Sequence, residues 1–231
     1  MEKYTAIVLA GGSGKRMGSA VKKQYLEILG KPLIYYSLDA FEKSKVDEIV
    51  LVVTPGDESF VQKEIVERYD FQKVTRIVAG GKERYHSVYE GLKVATGDYV
   101  LIHDGARAFV TDDVICRGME GAKEYKACVV GMPVKDTIKV SDEDGFVEST
   151  PDRSRVWMIQ TPQAFSYTLI KEAYEKVLSS DTTGITDDAM IVEKATKQKV
   201  KLILGSYDNI KVTTPEDLDV AENIIKKQNR C

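Results

Sequence analysis

The chain's 231 residues, 43% hydrophobic and 30% charged, suffice for a substantial core in one ordinary domain spanning residues 1–231. With 33 Lys and Arg against 36 Asp and Glu, the formal charge of −3 supplies no global field for nucleic acid or an anionic membrane, so neither is an expected partner and any anion site must be local. The three cysteines, Cys116, Cys128 and Cys231, are far apart and form no disulfide framework or metal pair, and the first apolar run is too short for a leader or a membrane span, so a cytoplasmic location is expected.

Short β-rich apolar runs alternate with longer stretches of helical spacing. In chain order the pattern predicts a strand over Ala6 to Leu9, a helix over Leu33 to Ser44, a strand over Ile49 to Val53 and a helix over Ser59 to Tyr69. It continues with a strand over Val74 to Val78, a helix over Glu83 to Ala95, a strand over Tyr99 to Ile102, a helix over Asp113 to Tyr125 and a strand over Ala127 to Val130. This alternation implies an α/β fold, a mostly parallel Rossmann-like sheet with helices on both faces. Runs apolar throughout, such as Ile49-Val50-Leu51-Val52-Val53, suit strands covered on both sides.

Between Asp136 and Trp157 the pattern changes. Strands over Thr137 to Val140 and Phe146 to Thr150 flank the polar turn Ser141 to Gly145, which predicts a hairpin arm projecting from the sheet. Helices over Ser166 to Leu178 and Asp187 to Ala195 and a strand over Val200 to Leu204 follow, and Thr214-Pro215-Glu216-Asp217 supplies cap, first-turn proline and acids for a terminal helix.

The first strand runs directly into Gly11-Gly12-Ser13-Gly14-Lys15-Arg16-Met17-Gly18, with Lys22-Lys23 close behind. Glycines let the backbone bring N–H groups against phosphate oxygens, and Lys15, Arg16, Lys22 and Lys23 offer cations to the same oxygens. A GxxxxGK[ST] phosphate loop would need glycine at Leu9 and Ser or Thr at Arg16; a GxGxxG dinucleotide loop would need glycine at Met17. Both patterns fail, so the loop alone says nucleotide phosphate and no more.

Further segments are Lys23-Gln24-Tyr25, Gly30-Lys31-Pro32-Leu33, Ala79 to Val88, His103-Asp104-Gly105-Ala106-Arg107, Pro133 to Thr137, Thr150 to Arg153, Gln160-Thr161-Pro162-Gln163, Thr186 to Ala189 and Asp208 to Thr213. In this order and spacing the chain resembles the 2-C-methyl-D-erythritol 4-phosphate cytidylyltransferase family, within the sugar-phosphate nucleotidyltransferases. Ribitol 5-phosphate cytidylyltransferases are the runner-up resemblance; Gly105-Ala106 and Asn209-Ile210-Lys211-Val212 favour the methylerythritol enzymes. A catalytically silent nucleotide-binding regulator is the alternative from another class. Gly105, Lys82 and Ala108 depart from the residues usual in the family.

The resemblance implies transfer of CMP from CTP, as its Mg²⁺ complex, to an acceptor phosphate. It implies that Arg16 and Lys23 act on the CTP phosphates with Lys15 assisting, and that Lys211 and Arg153 join them as catalytic cations. Ala10, Gly11, Gly12, Ser13 and Gly14, with Gly81, Lys82, Ser87, Asp104 and Gly105, are the implied CTP contacts, and Asp104 the implied metal ligand. Arg107, Thr137, Arg153, Thr161, Thr186 and Lys211 are the implied acceptor contacts, and an arm that crosses to a second copy implies a homodimer. Read for themselves, Asp187 and Asp188 are helix-start acids at the positive end of a dipole, and His103 packs or hydrogen-bonds at its strand end, since attack by a phosphate needs no imidazole.

Overall fold

A computed structural model describes residues 2–12 and 21–228. Its frame is a seven-stranded sheet built from β1 (Tyr4–Ala10), β4 (Glu48–Val53), β5 (Val74–Ala79), β6 (Tyr99–Asp104), β7 (Ala127–Pro133), β10 (Trp157–Ser166) and β11 (Lys201–Leu204), in the order β11-β7-β10-β6-β1-β4-β5. Two short antiparallel pairs stand apart: β2 (Glu27–Ile28) with β3 (Lys31–Pro32), and β8 (Val140–Ser141) with β9 (Val147–Ser149). β10 runs antiparallel to both β6 and β7, whereas the β1–β4, β1–β6, β4–β5 and β7–β11 pairs are parallel.

Residue parity decides which face each strand side chain covers. Ala6, Val8 and Ala10 of β1, with Ile49, Leu51 and Val53 of β4, pack under α1 (Leu33–Lys43) and α4 (Asp112–Tyr125). Ile7, Val50, Val52, Val100 and Ile102 face the other way, onto α3 (Arg84–Val94), α5 (Tyr167–Leu178) and α6 (Asp188–Ala195). The helices present matching stripes: Ile34, Leu38 and Phe41 on α1, and Val114, Ile115, Met119 and Ala122 on α4. Thr111 caps α4 by accepting the Val114 N–H at 3.4 Å, and Lys126 closes it in the left-handed conformation at φ 66°. A third cluster seats α7 (Glu216–Gln228) through Ala221, Ile224 and Ile225 on Ile28, Leu33, Phe109 and Val212.

Several sequence expectations need correction. The sheet is mostly parallel as expected, but it holds one antiparallel member, β10, a ten-residue strand in a stretch for which no strand was expected. Pro162 interrupts its pattern, but the register shifts between Ile159 and Gln163, so the proline sits where no regular ladder bond is required. The arm's paired segments are shorter than expected, because Thr137 to Lys139 lies outside β8 and the Asp142 side chain gathers the turn by accepting the Asp144 and Phe146 N–H groups. The helix expected over Ser59 to Tyr69 starts as α2 (Glu58–Val61) and widens into a π-helical stretch over Gln62–Glu67. Asp217 gathers the start of α7 by accepting from the Thr213 and Thr214 N–H groups and the Thr213 hydroxyl. Among the described residues, no helix is long and apolar enough to cross a membrane.

Gly105 illustrates how tightly the sheet's upper end is packed. Its N–H donates to the Leu9 carbonyl at 2.9 Å, and a Cβ there would stand 2.9 Å from that oxygen and collide with Ile34 Cδ1. Gly105→Ala is therefore expected to destabilise the fold by about 1–3 kcal/mol, and Ile34→Val added to it should recover part of the loss. Thermal melts of the single and double variants check this; an unchanged melting temperature for Gly105→Ala would contradict the packing argument.

Candidate active site

Strand order reverses between β1 and β6. From β1 the chain moves through β4 to the β5 edge, then returns to the other side of β1 for β6. Connections leaving the two strands diverge, which opens a crevice at their carboxyl ends, the place where open α/β sheets bind ligands. A cleft of about 680 Å³ occupies this position. The ends of β1, β4, β5 and β6 line it with Ala10, Gly11, Gly12, Val53, Thr54, Gly80, Gly81 and Asp104.

Backbone segments are drawn tightly around these strand ends. Gly80 N–H donates to Val53 O at 2.7 Å, and a Cβ on Gly80 would stand 2.8 Å from Ser87 Oγ. Ser87 Oγ accepts the Gly81 N–H at 3.1 Å and donates to Glu83 O at 3.2 Å, so the loop carrying Gly81 and Lys82 is folded onto the start of α3. Lys82 and Ser87 line the cleft beside it.

The cations approach from three directions. Lys23 begins a 3₁₀ turn over Lys23–Tyr25. Around it the buried Gln24 reaches Gly12 O at 3.5 Å, Tyr25 donates its hydroxyl to Asp57 at 2.9 Å, and Lys22 donates to both Asp57 oxygens at 2.7 Å. Lys22 is thus the counterion of Asp57, and it lines the cleft together with Lys23. Lys211 arrives on the segment after β11, which is pinned by Asn209 Nδ2 to Thr161 O at 2.8 Å and by Val212 N–H to Ala106 O at 2.9 Å. That segment sets Lys211 Nζ 2.7 Å from Asp104 Oδ2. Arg84, at the start of α3, places Nε 3.1 Å from Asp104 Oδ1. Burial alone would raise the Asp104 pKa, but Arg84 and Lys211 outweigh it and hold the carboxyl well below the usual carboxylate range.

Beneath Asp104 lies a neutral support. Thr161 Oγ accepts the Asp104 N–H at 3.0 Å and lies 3.0 Å from His103 Nδ1, while His103 Nε2 lies 3.1 Å from Arg107 O. Since the carbonyl can only accept, Nε2 carries the proton and the Thr161 hydroxyl donates to Nδ1. Burial pushes the imidazole down to about 4, so His103 is a neutral packing group, in keeping with its reading from sequence. Thr161, only 4% exposed, lies under the site with its hydroxyl engaged.

Other expected residues are placed as follows. Gly105 packs beneath the cleft, and Ala106 lines it. The Arg107 guanidinium donates to the backbone carbonyls of Asn209 at 2.8 Å and Ile159 at 3.3 Å, its Nε is buried without a partner, and burial lowers its pKa. Thr137 and Arg153 are exposed on and beside the arm, with Arg153 donating to Lys135 O at 2.9 Å, and Thr186 is exposed just before α6. None of these four residues is among those lining the described cleft. Ser13, Gly14, Lys15 and Arg16 lie outside the described residues.

Asp187 behaves as a helix-start acid, accepting the Met190 N–H at 2.9 Å as the α6 cap. Asp188 departs from that reading. It is fully buried, receives Arg84 Nη1 and Nη2 at 2.9 and 2.8 Å, and accepts the Tyr174 hydroxyl at 2.5 Å. Gln163 completes the arrangement, its Oε1 accepting the Asp188 and Ala189 N–H groups and its Nε2 donating to Asp187. Arg84, Gln163 and Asp188 all fall inside segments singled out from the sequence, but no local pattern announces that they meet.

Comparison with known proteins gives this cleft a family. A family model described as IspD, 2-C-methyl-D-erythritol 4-phosphate cytidylyltransferase, matches residues 4–227. The chain belongs to this cytidylyltransferase family. Its relatives include the 2-C-methyl-D-erythritol 4-phosphate cytidylyltransferase of Lachnoclostridium phytofermentans, 52% identical over 228 residues that cover 98% of each chain. The Clostridium perfringens protein of the same name is 49% identical over 228 residues, covering 98% of this chain and 100% of the relative. Among solved structures, the 4-diphosphocytidyl-2C-methyl-D-erythritol synthase of Anaerococcus prevotii superposes with a TM-score of 0.87 at 36% identity, covering 97% of this chain and 96% of that one. In a chain of this cytidylyltransferase family, a cleft lined by Lys22, Lys23, Lys82 and Lys211, with Arg84 engaged by Asp104 and Asp188, has the electrostatics that two phosphate-bearing substrates require.

Proposed function

We propose that the chain transfers CMP from CTP to 2-C-methyl-D-erythritol 4-phosphate, giving 4-diphosphocytidyl-2-C-methyl-D-erythritol and pyrophosphate. An oxygen of the acceptor phosphate attacks the α-phosphorus of CTP, the bond from that phosphorus to the α,β-bridging oxygen breaks, and the electron pair leaves with pyrophosphate. The nucleophile is already an anion, so no general base is needed; the protein must overcome repulsion between two anions and hold them in line. The observation that carries this reading is the convergence of Lys23 and Lys211 with Asp104 at the switch-point cleft, in a chain matched over residues 4–227 by the cytidylyltransferase model.

In this reading the backbone of Ala10, Gly11, Gly81 and Lys82, with Ser87, surrounds the cytosine end of the cleft. Lys23 and Lys211 meet the phosphates, with Arg16 joining them from the glycine loop. Asp104 fits Mg²⁺ as one ionised carboxylate among phosphate and water ligands, the arrangement this ion favours. When bound, the ion would neutralise phosphate charge.

Arg107, Thr137, Arg153 and Thr186 are assigned to the acceptor. The exposed positions of Thr137 and Arg153 support completion of each site by a second copy. A two-stranded arm is marginal in water by itself, and this one exposes Phe146 and Val147 while Met158, Leu202 and Leu204 of the neighbouring strands are also exposed. A twofold dimer that covers these groups is the expected assembly.

Incubation with CTP, Mg²⁺ and methylerythritol phosphate tests the reaction: pyrophosphate should appear in step with the cytidine diphosphate product, and CTP binding without turnover would contradict it. Mixing tests the shared site. Arg153→Ala and Lys23→Ala subunits, each inactive alone, should regain about 25% of wild-type activity when randomly paired, since half the dimers then carry one intact site of two. No recovery would contradict the crossing arm.

A further inference from the structure

Arg84 is absent from the roles that the motifs imply, yet its side chain pairs with two carboxylates at the cleft. Three of its N–H groups are on carboxylates: Nη1 and Nη2 form a fork on Asp188, and Nε reaches Asp104. The two carboxylates belong to different parts of the site. Asp104 ends β6 on the nucleotide side, while Asp188 opens α6, two residues after Thr186 on the acceptor side. Asp188 is held by more than Arg84, because Tyr174 donates to it and Gln163 of β10 accepts its N–H. Asp104 is likewise held from below, through its N–H on Thr161, and from the side by Lys211. The guanidinium is therefore a spacer between two anchored carboxylates.

We propose that Arg84 is a positioning residue for the transfer, one planar guanidinium fixing the distance between the nucleotide-side carboxylate Asp104 and the acceptor-side start of α6. This rests on the cytidylyl-transfer reading. Charge alone does not explain the choice of residue. A lysine could pair with either carboxylate but has no rigid fork with which to hold Asp188 through two nitrogens and Asp104 through a third. The local charges also balance, with Arg84 and Lys211 against Asp104 and Asp188. Lys211 already holds Asp104 at 2.7 Å, so loss of the spacing lets that pair shift together, and Lys211 displaced from the reacting phosphates lowers the rate of transfer more than the binding of CTP.

Arg84→Lys keeps the charge and loses the bridge. At saturating substrates its kcat is expected to fall about 10- to 100-fold, the scale of a small misplacement of reacting groups, while the calorimetric Kd for CTP and the KM for CTP stay within about threefold. Asp188→Asn keeps one acceptor for the guanidinium, and a smaller fall in kcat of about 3- to 10-fold is expected with the same unchanged CTP affinity. Circular dichroism melts establish the temperature at which each variant is folded, and Asp188→Asn carries the comparison if Arg84→Lys does not fold. A folded variant with wild-type kcat overturns the proposal, as does CTP affinity falling in step with kcat, which would mean direct contact with the nucleotide. An active wild type beside an unimpaired Arg84→Lys sinks the positioning role alone; a wild type that binds CTP and transfers nothing sinks the transfer reading and this role with it.

Discussion

Replacing Lys23 by alanine is expected to lower kcat by about 10² to 10³, close to the loss seen when one preorganised donor to a developing oxyanion is removed. The loss should fall on chemistry because the segment is anchored without Lys23. Lys22 and Tyr25 both hold Asp57, and Gln24 is buried against the loop that follows β1. Truncation at Lys23 leaves these tethers in place and removes an ammonium that lines the cleft. Steady-state kinetics beside a thermal melt separate the possibilities: kcat should fall with little change in melting temperature. A near-normal rate would remove Lys23 from the transition state.

A loss of the same order, about 10² to 10³ in kcat, is expected for Lys211→Ala. Lys211 has two roles in the proposed reaction: it offers positive charge to the phosphates, and in the structure it holds Asp104 Oδ2 at 2.7 Å. Its segment is fixed by Asn209 on Thr161 O and Val212 on Ala106 O, so alanine leaves the backbone course unchanged. Asp104 keeps Arg84 as its remaining cation. The comparison that checks this is kcat against the KM for each substrate. If only the KM for the acceptor rises and kcat is preserved, Lys211 binds uniformly and does not favour the transition state.

Much of this was legible from the residues in order. Runs such as Ile49 to Val53 are buried on both faces because helices cover both, and their unbroken apolar character says so. The expectation of phosphate chemistry rests on glycines and lysines adjacent in the chain, in a loop of which residues 13–20 lie outside the described residues. β10 was hidden because Pro162 and the polar Gln160, Thr161 and Gln163 break its pattern, and those residues turn inward to support other segments: Gln160 donates to Ser206 O, Thr161 supports Asp104, and Gln163 holds the start of α6. Local propensity carries no trace of partners at such distances. The Arg84–Asp188 pair, 104 positions apart, is hidden for the same reason. Two adjacent acids at the start of a helix read as dipole partners, and only the packing of α3 against α5 and α6 turns one of them into a buried counterion.

Acceptor choice tests the central claim most directly. With CTP and Mg²⁺ held constant, kcat/KM is measured for methylerythritol phosphate and for ribitol 5-phosphate on the same preparation, following both pyrophosphate and the cytidine diphosphate product. The predicted result is a higher kcat/KM for methylerythritol phosphate. A higher value for ribitol 5-phosphate would contradict it.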